Sequence, residues 1–577
     1  MGKILRVNLT ELKTSTRNTK KRYENMGGRW LTSSLVYDEV DPTCHPLGPN
    51  NKLVFSPGII TGTNAPSSGR LSVGGKSPLT NGIKESNAGT PFSQKLAKLG
   101  YDAVVVEGAS NKNYWLLRIN SKGALLYPAK FLGEGLYEAF PKVFTEFGEN
   151  IGIAAIGVAG EQRLSNAGIC FNDIDRRPSR YAGRGGLGAV MGSKGLKFIV
   201  VDDTGAPPIK LANDDVFRKG AKKLIEAIST HGVTKPGGTL NSYGTAALVN
   251  VLNEVGGFPT RNFREGRFEG AAKISGEAIA EICKTRGGIG KMGHACNPGC
   301  IIRCSNVYPK KDGSEHVSCI EYESAWAFGA NCGIDNLDQV AEMIKQSNDY
   351  GVDTIEAGGA VAVAMEGGLA KFGDGEKAIE LMKEIKKGTP IGKALGCGAA
   401  TVGRILGVSH VPAVKGQNMP AYEPRAVKGI GVTYATSPMG ADHTAGYTVA
   451  PEVLGVGGKL DPFSTDKIGL ARAFQETTAF IDSTGYCLFI AFPVIDIQAG
   501  LEGVVETCNG MLGTKWTTDD VARIGKEILK KERAFNKAAG FTNSNDRLPE
   551  FMKYEKLPPH NTVFDVPDKD LDKVFNP

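Results

Sequence analysis

The sequence predicts an α+β protein in which a β-rich N-terminal domain is followed by two mainly α-helical domains. Residues 1–206 contain short runs rich in β-branched and aromatic residues, separated by Gly, Pro and Asn turns. After Pro207-Pro208 the pattern changes to helical periodicity. A chain of 577 residues is also too long for a single hydrophobic core. We therefore predict domains at 1–206, 207–420 and 421–577.

Individual elements follow from the same patterns. Strands are predicted at the N-terminus and at the β-rich runs 52–56, 101–107 and 114–119. Helices are predicted where apolar residues recur every three or four positions, as in 214–228 and 337–345.

Composition narrows the class of protein. The net charge of +7 is mild for this length, and the Lys and Arg residues are spread along the chain, so nucleic acid is not an expected partner. A modest positive charge suits an acidic partner or an anionic cofactor instead. The 75 glycines are nearly twice the usual ~7% and indicate backbone that turns sharply or approaches a ligand closely.

Targeting signals are not evident in the sequence. The N-terminus enters a strand-like alternation directly, and no apolar run approaches the ~20 residues that a membrane helix needs. Eleven cysteines without an export signal are typical of a cytoplasmic protein that uses thiols for metal binding and not for disulfides.

Three thiols within nine residues, Cys296, Cys300 and Cys304, surround a Pro-Gly turn and predict a metal site. Thiolates suit iron–sulfur clusters or zinc, and the spacing does not choose between them. A four-sulfur site needs one more cysteine, for which Cys487, beside an apolar run, is the expected residue. The alternative is a set of buried cysteines in a tight turn.

Two further segments carry groups suited to proton transfer. Glu321 and Glu323 flank a tyrosine in an apolar stretch, where a buried carboxylate needs a partner or a raised pKa. The alternative is a carboxylate at a helix start with a solvated face. His443 lies in a Gly- and Pro-bounded loop and is either a proton carrier or a surface histidine.

Three polar, glycine-bearing loops at 65–70, 84–89 and 175–186 combine backbone donors with Arg or Asn, which suits a phosphate or a heteroaromatic edge. The last loop runs into Gly183-Arg-Gly-Gly-Leu-Gly188, which matches the G-x-G-x-x-G dinucleotide fingerprint. Such a fingerprint follows a strand and opens a helix. Here the preceding residues are polar and a strand is predicted soon after, so we do not expect a nicotinamide or flavin fold.

Several of these segments together resemble the tungsten-containing aldehyde ferredoxin oxidoreductases. The resemblance covers essentially the whole chain in the same order, and it is carried by the motifs GKILRVNL, GRGGLGAVMGSK, EYESAWA, PAYEPR and DSTGYCLF. It implies a β-rich base domain that binds two pyranopterins whose dithiolenes hold tungsten. It also implies two helical domains that cover the base, and a [4Fe–4S] cluster beside one pterin.

The resemblance assigns roles to residues of the three polar loops. Arg70 is expected to link the cluster to a pterin. Asn87, Gly89, Arg180 and Tyr181 match positions that contact pterin and phosphate. Backbone carbonyls of Asn87 and Tyr181 would hold a Mg²⁺ ion that bridges the pterin phosphates.

Two pterin-binding motifs of the family match later segments of the chain. Asn348 and Asp353 belong to the first motif, and Asp482 and Tyr486 to the second, which closes with Cys487 as the distant cluster ligand. Asn348 stands where Asp is usual, so its hold on a pterin amino group should be weaker.

The cysteine run departs from the family pattern Cys-x2-Cys-x3-Cys. Cys296 and Cys300 match the last two ligands, while Gly293 stands at the first position. We expect the missing sulfur to come from Cys304, one helical turn beyond Cys300. His294 as a nitrogen ligand is the alternative, and it would raise the cluster potential.

A second departure concerns subunit contacts. The family's metal-bridging Glu-x-x-His motif is replaced by Glu342-Met-Ile-Lys345. A metal shared between subunits is therefore not expected, although an oligomer without one remains compatible with the sequence.

The resemblance implies oxidation of an aldehyde to a carboxylic acid, or the reverse reduction, with Glu323 as general base and His443 as hydrogen-bond donor. Electrons would leave through the [4Fe–4S] cluster to ferredoxin or an iron–sulfur partner subunit. One alternative is a tungsten enzyme subunit that reduces the ring of an aromatic acyl-CoA such as benzoyl-CoA. Another is a non-catalytic iron–sulfur electron-transfer subunit.

Overall fold

The structure, a computed structural model, describes residues 2–110 and 113–575. Up to Val201 the chain forms two six-stranded sheets with short helices, and from Asp214 onward helices dominate. The predicted α+β class, with a β-rich N-terminal part and a helical remainder, is confirmed. The domain boundaries at 206/207 and 420/421 stay predictions.

The first sheet has the strand order β2-β1-β6-β3-β4-β5 and is antiparallel except where β1 pairs with β6. The second has the order β11-β10-β9-β12-β7-β8 and is antiparallel except where β12 pairs with β7. The strands are β1 (Lys3–Asn8), β2 (Lys13–Asn18), β3 (Leu53–Pro57), β4 (Arg70–Lys76), β5 (Ile83–Gly89), β6 (Tyr101–Glu107), β7 (Trp115–Asn120), β8 (Gly123–Pro128), β9 (Gly152–Ala155), β10 (Ile169–Asn172), β11 (Pro178–Ala182) and β12 (Leu196–Val201).

The sheets pack together through alternating apolar side chains, among them Val104 and Ile199, which are fully buried in one shared core. Helices connect the strands within this part of the chain: α1 (Gly28–Glu39), α2 (Pro91–Lys98), α3 (Leu136–Phe147), α4 (Val158–Glu161) and α5 (Leu187–Ser193). Two of the three predicted polar loops are wrong as loops: 84–89 lies within strand β5, and the middle of 175–186 forms strand β11.

The helical part contains sixteen α-helices among the described residues, including both predicted ones. They are α6 (Asp214–Thr230), α7 (Thr239–Tyr243), α8 (Leu248–Glu254), α9 (Gly276–Arg286), α10 (Tyr322–Phe328), α11 (Leu337–Tyr350), α12 (Thr354–Glu366), α13 (Gly375–Lys387), α14 (Pro390–Gly396), α15 (Ala399–Leu406), α16 (Lys428–Thr436), α17 (Ile468–Thr484), α18 (Ala491–Asp496), α19 (Gln498–Leu512), α20 (Asp519–Ala538) and α21 (Asp568–Leu571). None of the helices in ranges 2–110 and 113–575 is both long and apolar enough to cross a membrane.

The cysteine run is not helical, which corrects the expectation that Cys304 lies one helical turn beyond Cys300. The run connects two strands of a small antiparallel sheet, β13 (Lys291–His294), β14 (Ser305–Pro309) and β15 (Glu315–Val317). A second small sheet consists of β16 (Ala413–Val414) and β17 (Gln417–Asn418). The Pro298-Gly299 turn reverses the chain between the first two thiols, and Gly299 has the positive φ of 79° that such a turn favours.

The G-x-G-x-x-G segment does lie between a strand, β11, and a helix, α5, although its polar surroundings argued against this. The wider topology is nevertheless not that of a dinucleotide fold. That fold requires parallel strands joined through the helix, whereas β11 pairs antiparallel with β10 and is not a neighbour of β12.

A buried ion pair joins the first sheet's helix to the C-terminal helices. Arg29 on α1 donates from Nε and Nη2 to the carboxylate of Glu532 on α20, both at 2.9 Å. Ser33 donates to the same carboxylate at 2.8 Å. Both charges are almost fully removed from water, so each needs compensation, and Arg29 has a second, longer contact of 3.3 Å to Asp482.

Candidate active site and cysteine cluster

The four predicted cluster cysteines come together where the loop between β13 and β14 meets the end of α17. The pKa of the Cys300 thiol is raised by a hydrogen bond with Cys296 and by burial. The charges of Cys296, Cys304 and Cys487 raise it further. The amide of Cys487 donates to the carbonyl of Ser67 at 2.9 Å, which holds this distant cysteine against the β-rich N-terminal part of the chain. The assignment of all four as ligands stays a prediction.

Among the residues that the structure describes, no three His, Cys, Asp or Glu side chains are arranged to hold one metal ion.

Arg70, at the start of β4, contacts both the thiols and Asn87, a predicted pterin-binding residue on the neighbouring strand β5. Its Nη2 donates to Cys487 Sγ at 3.4 Å, and its Nη1 donates to Asn87 Oδ1 at 3.2 Å. Gly89 is paired with Arg70 across the sheet, and a Cβ at this position would lie 3.2 Å from Cys296 Sγ. A side chain here would therefore press on the thiol loop.

Arg180 and Tyr181 on β11 extend the same region. Arg180 donates from Nη2 to Ser305 Oγ at 2.9 Å, and its Nη1 lies 3.6 Å from the sulfur of Cys319. The Tyr181 hydroxyl donates to the backbone carbonyl of Asn348 at 2.5 Å. Arg180 thereby connects strand β11 of the N-terminal part to strand β14, which follows Cys304.

Cys319 is a fifth thiol near the cluster that sequence reasoning missed. It is buried, and its Sγ lies 2.8 Å from Glu321 Oε1. Glu321 also accepts hydrogen bonds from Thr245 at 2.6 Å and from Ser305 at 3.2 Å. Its position two residues before Glu321 was the only signal in the sequence, and that spacing alone predicts no contact.

His294, the alternative ligand, is engaged elsewhere. Its Nε2 lies 2.9 Å from Asp175 Oδ2, and its ring is buried. Burial lowers the pKa of His294, although the Asp175 carboxylate opposes this effect. The pairing with Asp175 leaves Nδ1 as the nitrogen without a hydrogen-bond partner in the described part of the chain.

The first predicted pterin motif lies at the junction of α11 and α12. Asp353 caps α12, accepting from the amides of Ile355 and Glu356 at 3.2 Å each. Arg184 Nε lies 3.3 Å from its Oδ2. Asn348 donates to the Tyr137 hydroxyl at 3.3 Å. The Asp353 carboxylate thus already satisfies a helix start before any ligand is considered.

The second motif lies at the end of α17. Arg29 Nη1 is 3.3 Å from Asp482 Oδ2, and burial raises the pKa of Asp482 to about 6 against the effect of Arg29. Tyr486 is buried in the neighbouring core, where its hydroxyl donates to Thr507 at 2.9 Å. Its side chain therefore points into packing, and a contact with a cofactor would involve its backbone.

Glu323 and His443, 120 positions apart in sequence, lie together in the interior. His443 Nε2 is 3.4 Å from Glu323 Oε1, and the Ala421 amide donates to Glu323 Oε2 at 3.0 Å. Burial raises the pKa of Glu323 to about 8 and lowers that of His443 to about 4. Near neutral pH the carboxyl is therefore largely protonated and the imidazole is neutral.

Two buried cations near this pair were not singled out from the sequence. Lys84 Nζ lies 3.2 Å from Asp442 Oδ2, directly before His443. Arg184 donates to the carbonyls of Ala441 at 2.7 Å and Asn418 at 2.6 Å. Burial raises the pKa of Asp442, but Lys84 and Arg184 outweigh it and hold this pKa well below the usual range.

Several buried polar atoms around the two sites have no hydrogen-bond partner within the described ranges. Among them are Arg70 Nε, Arg180 Nε, Glu85 Oε1, Glu323 Oε1 and His443 Nδ1. Buried polar groups are normally satisfied, so these atoms point to a bound group that offers both donors and acceptors. A pterin with phosphates fits this requirement, because guanidinium groups favour phosphate and carboxyl groups favour amino groups.

Grouped thiols beside buried arginines, together with a paired carboxyl and imidazole, are features expected of a metal- and cofactor-dependent oxidoreductase. Comparison with known proteins gives the family. The family descriptions "Aldehyde ferredoxin oxidoreductase, N-terminal domain" and "Aldehyde ferredoxin oxidoreductase, domains 2 & 3" match residues 4–203 and 219–576. The chain belongs to the aldehyde ferredoxin oxidoreductase family, and the sequence-based recognition is confirmed.

Individual relatives agree with this assignment. The tungsten-containing aldehyde ferredoxin oxidoreductases of Pyrococcus abyssi and Pyrococcus horikoshii are each 37% identical to the chain, covering 96% of it and 92% of the relative. A WOR-like subunit of an aliphatic sulfonate oxidoreductase from Pyrococcus furiosus is 26% identical over 96% of this chain and 90% of its own. The chain is thus an oxidoreductase of the aldehyde ferredoxin oxidoreductase type, and the family implies a tungsten pterin cofactor.

A solved structure shares the fold. The BamBC active-site complex of benzoyl coenzyme A reductase, with bound 1,5-dienoyl-CoA, has a chain that superimposes with a TM-score of 0.79. The match covers 100% of this chain and 93% of that one at 20% sequence identity. At this identity the likeness concerns the fold alone.

Proposed function

We propose that this protein oxidises an aldehyde to a carboxylic acid, with Glu323 as general base and His443 as hydrogen-bond donor to the aldehyde oxygen. The buried Glu323–His443 pair is the observation that carries the proposal. Each partner keeps one polar atom without a hydrogen bond to any described residue, so the pair is free to act on a third group. Sequence identity of 37% to tungsten aldehyde enzymes supports the choice of reaction.

The reaction requires that an aldehyde and water yield an acid, two protons and two electrons. Glu323 takes a proton from the water or from the hydrated aldehyde, and its pKa of about 8 suits a base that works near neutral pH. His443 is neutral in this range, so one ring nitrogen carries a proton and donates it in a hydrogen bond to the developing oxyanion.

The residues around the pair would hold the cofactor. Arg70, Arg180 and the backbone at Asn87 and Tyr181 would bind the pterin phosphates and their Mg²⁺, while Asp482 would bind a pterin amino group. When bound, the tungsten pterin group supplies a two-electron acceptor. The unpartnered guanidinium nitrogens of Arg70 and Arg180 support this role.

The cysteine cluster provides the electron exit. Cys296, Cys300, Cys304 and Cys487 would hold a [4Fe–4S] cluster that releases electrons singly to ferredoxin or to an iron–sulfur partner subunit. Arg70 contacts both Cys487 and the Asn87 side chain, so it connects this cluster to the predicted pterin site.

The decisive experiment assays the purified protein for metals and for turnover of an aldehyde panel with a viologen acceptor. We expect tungsten, about four irons per chain, and aldehyde-dependent viologen reduction. Benzoyl-CoA serves as the control substrate. Reduction of benzoyl-CoA without aldehyde oxidation would replace the proposal by ring reduction, and iron without tungsten or pterin would leave an electron-transfer subunit.

A further inference from the structure

Tyr434 on α16 is fully buried, and its hydroxyl has no hydrogen-bond partner among the residues that the structure describes. Other buried tyrosines of the helical part differ in this respect. Tyr322 donates to the Ala421 carbonyl at 2.7 Å, and Tyr422 shares a hydrogen bond of 3.0 Å with Tyr447. Burying an unpaired hydroxyl costs stability, and phenylalanine would fill the same space without that cost. The hydroxyl therefore indicates a bound partner.

The helix that carries Tyr434 packs against the segment that carries His443, because Thr433, the neighbour of Tyr434, donates to the carbonyl of Gly446 at 3.2 Å. Burial raises the pKa of Tyr434 well above its usual value, and the charges that act on it belong to Glu323, Arg184 and Asp442. The hydroxyl thus keeps its proton and acts as a donor. Asp442 directly precedes His443, so the tyrosine, the carboxyl and the imidazole surround one region from three different segments of the chain.

Among the buried polar atoms of this region that lack partners within the described residues are Glu323 Oε1, His443 Nδ1 and the Tyr434 hydroxyl. We propose that the Tyr434 hydroxyl donates a hydrogen bond to the oxygen of the substrate aldehyde and, after reaction, to the carboxylate of the product. This inference rests on the proposed function and adds a substrate-contacting residue to it. The tyrosine keeps its own proton throughout, so its role adds nothing to the balance of atoms and electrons.

A second donor at the aldehyde oxygen has a clear chemical use. As the nucleophile adds, the carbonyl oxygen gains negative charge, and donors that are already oriented in a water-poor site stabilise that charge most effectively. His443 is neutral and supplies one donor. Tyr434 would supply the other, without the desolvation penalty that a charged donor would carry.

The test is Tyr434→Phe in the tungsten-loaded enzyme, with Tyr308→Phe as the matched control. Tyr308 is also buried, but its hydroxyl has a partner: it donates at 2.8 Å to Asp338, a residue of α11. Tungsten and pterin per chain, kcat and KM for an aldehyde, and the inhibition constant of the corresponding carboxylate are measured for each variant.

We expect Tyr434→Phe to keep full tungsten and pterin content while kcat/KM falls by a factor on the order of 10². The inhibition constant of the carboxylate should rise by roughly tenfold. The control should match the wild type in all measurements. A purely structural role would not weaken carboxylate binding while leaving the cofactor content intact.

Two results would overturn the inference. Unchanged kcat/KM and carboxylate inhibition in Tyr434→Phe would show that the hydroxyl does not contact substrate. Loss of pterin in proportion to activity, with normal turnover per tungsten, would assign the hydroxyl to the cofactor instead. The wild-type assay separates these results from failure of the proposed function: if the wild type oxidises no aldehyde, both proposals fall.

Discussion

Replacement of Glu323 by Gln tests the proposed mechanism most directly. Gln has nearly the same shape as the protonated carboxyl and can still accept from the Ala421 amide, but it cannot take up a proton. Removing a general base typically lowers the rate by about 10²- to 10⁴-fold. We expect kcat of Glu323→Gln to fall within this range while tungsten content stays at the wild-type level.

The pKa of Glu323 also fixes the pH dependence. Burial raises this pKa to about 8, and the base acts only when it is ionised. At pH 7 about one tenth of the carboxyl is ionised and at pH 6 about one hundredth. Wild-type kcat/KM should therefore rise roughly tenfold per pH unit and level off above pH 8. His443, with a pKa of about 4, adds no inflection between pH 6 and 9.

The assay is aldehyde-dependent viologen reduction between pH 6 and 9, normalised to tungsten. The residual rate of Glu323→Gln should not follow the wild-type rise. Glu502→Gln is a suitable control, because Glu502 pairs with Lys223 on the partly exposed contact of α19 with α6. Near-normal turnover of a fully loaded Glu323→Gln enzyme, or a wild-type profile without this rise, would remove Glu323 from the role of base.

Two further predictions concern the cluster and the fold. Cys304→Ala should lose iron and alter the iron–sulfur EPR signal. The control Cys508→Ala, which removes a buried thiol in the apolar core, should leave both unchanged. An intact signal in Cys304→Ala would mean that another group is the ligand. Glu532→Ala should lower the free energy of unfolding by about 3–5 kcal/mol, because it removes the bidentate partner of the buried Arg29 charge and leaves the longer contact to Asp482. Denaturant unfolding measures this loss, and a change below about 1 kcal/mol would show that water or another carboxylate compensates Arg29.

The sequence predicted the local elements well, because periodicity and turn residues act over short distances. The strand at Tyr101–Glu107 and the helix that begins at Leu337 are examples. The irregular path from Cys296 to Cys304 was not predicted, since three thiols at intervals of four residues also fit helical spacing. Only the surrounding strands β13 and β14 show that the run is a loop.

The site itself was predicted only in part. The resemblance to a family, and not any spacing, suggested that Glu323 and His443 meet across 120 residues. Nothing in the sequence indicated that Asp353 pairs with Arg184, because that contact depends on how distant segments pack. The unpartnered hydroxyl of Tyr434 could not be predicted either, since the missing hydrogen bond becomes evident only in three dimensions.

The hydrogen bonds and ion pairs of the nearby cations explain why Glu323 keeps a raised pKa although positive charge lies close by. Arg184 directs its donors to Asp353 and to two backbone carbonyls, and Lys84 pairs with Asp442. Neither cation therefore hydrogen-bonds Glu323, so burial remains the main influence on this carboxyl and raises its pKa. A direct ion pair would have lowered the pKa and produced a weak base. By binding its cations elsewhere, the site keeps one carboxyl able to gain and lose a proton near neutral pH.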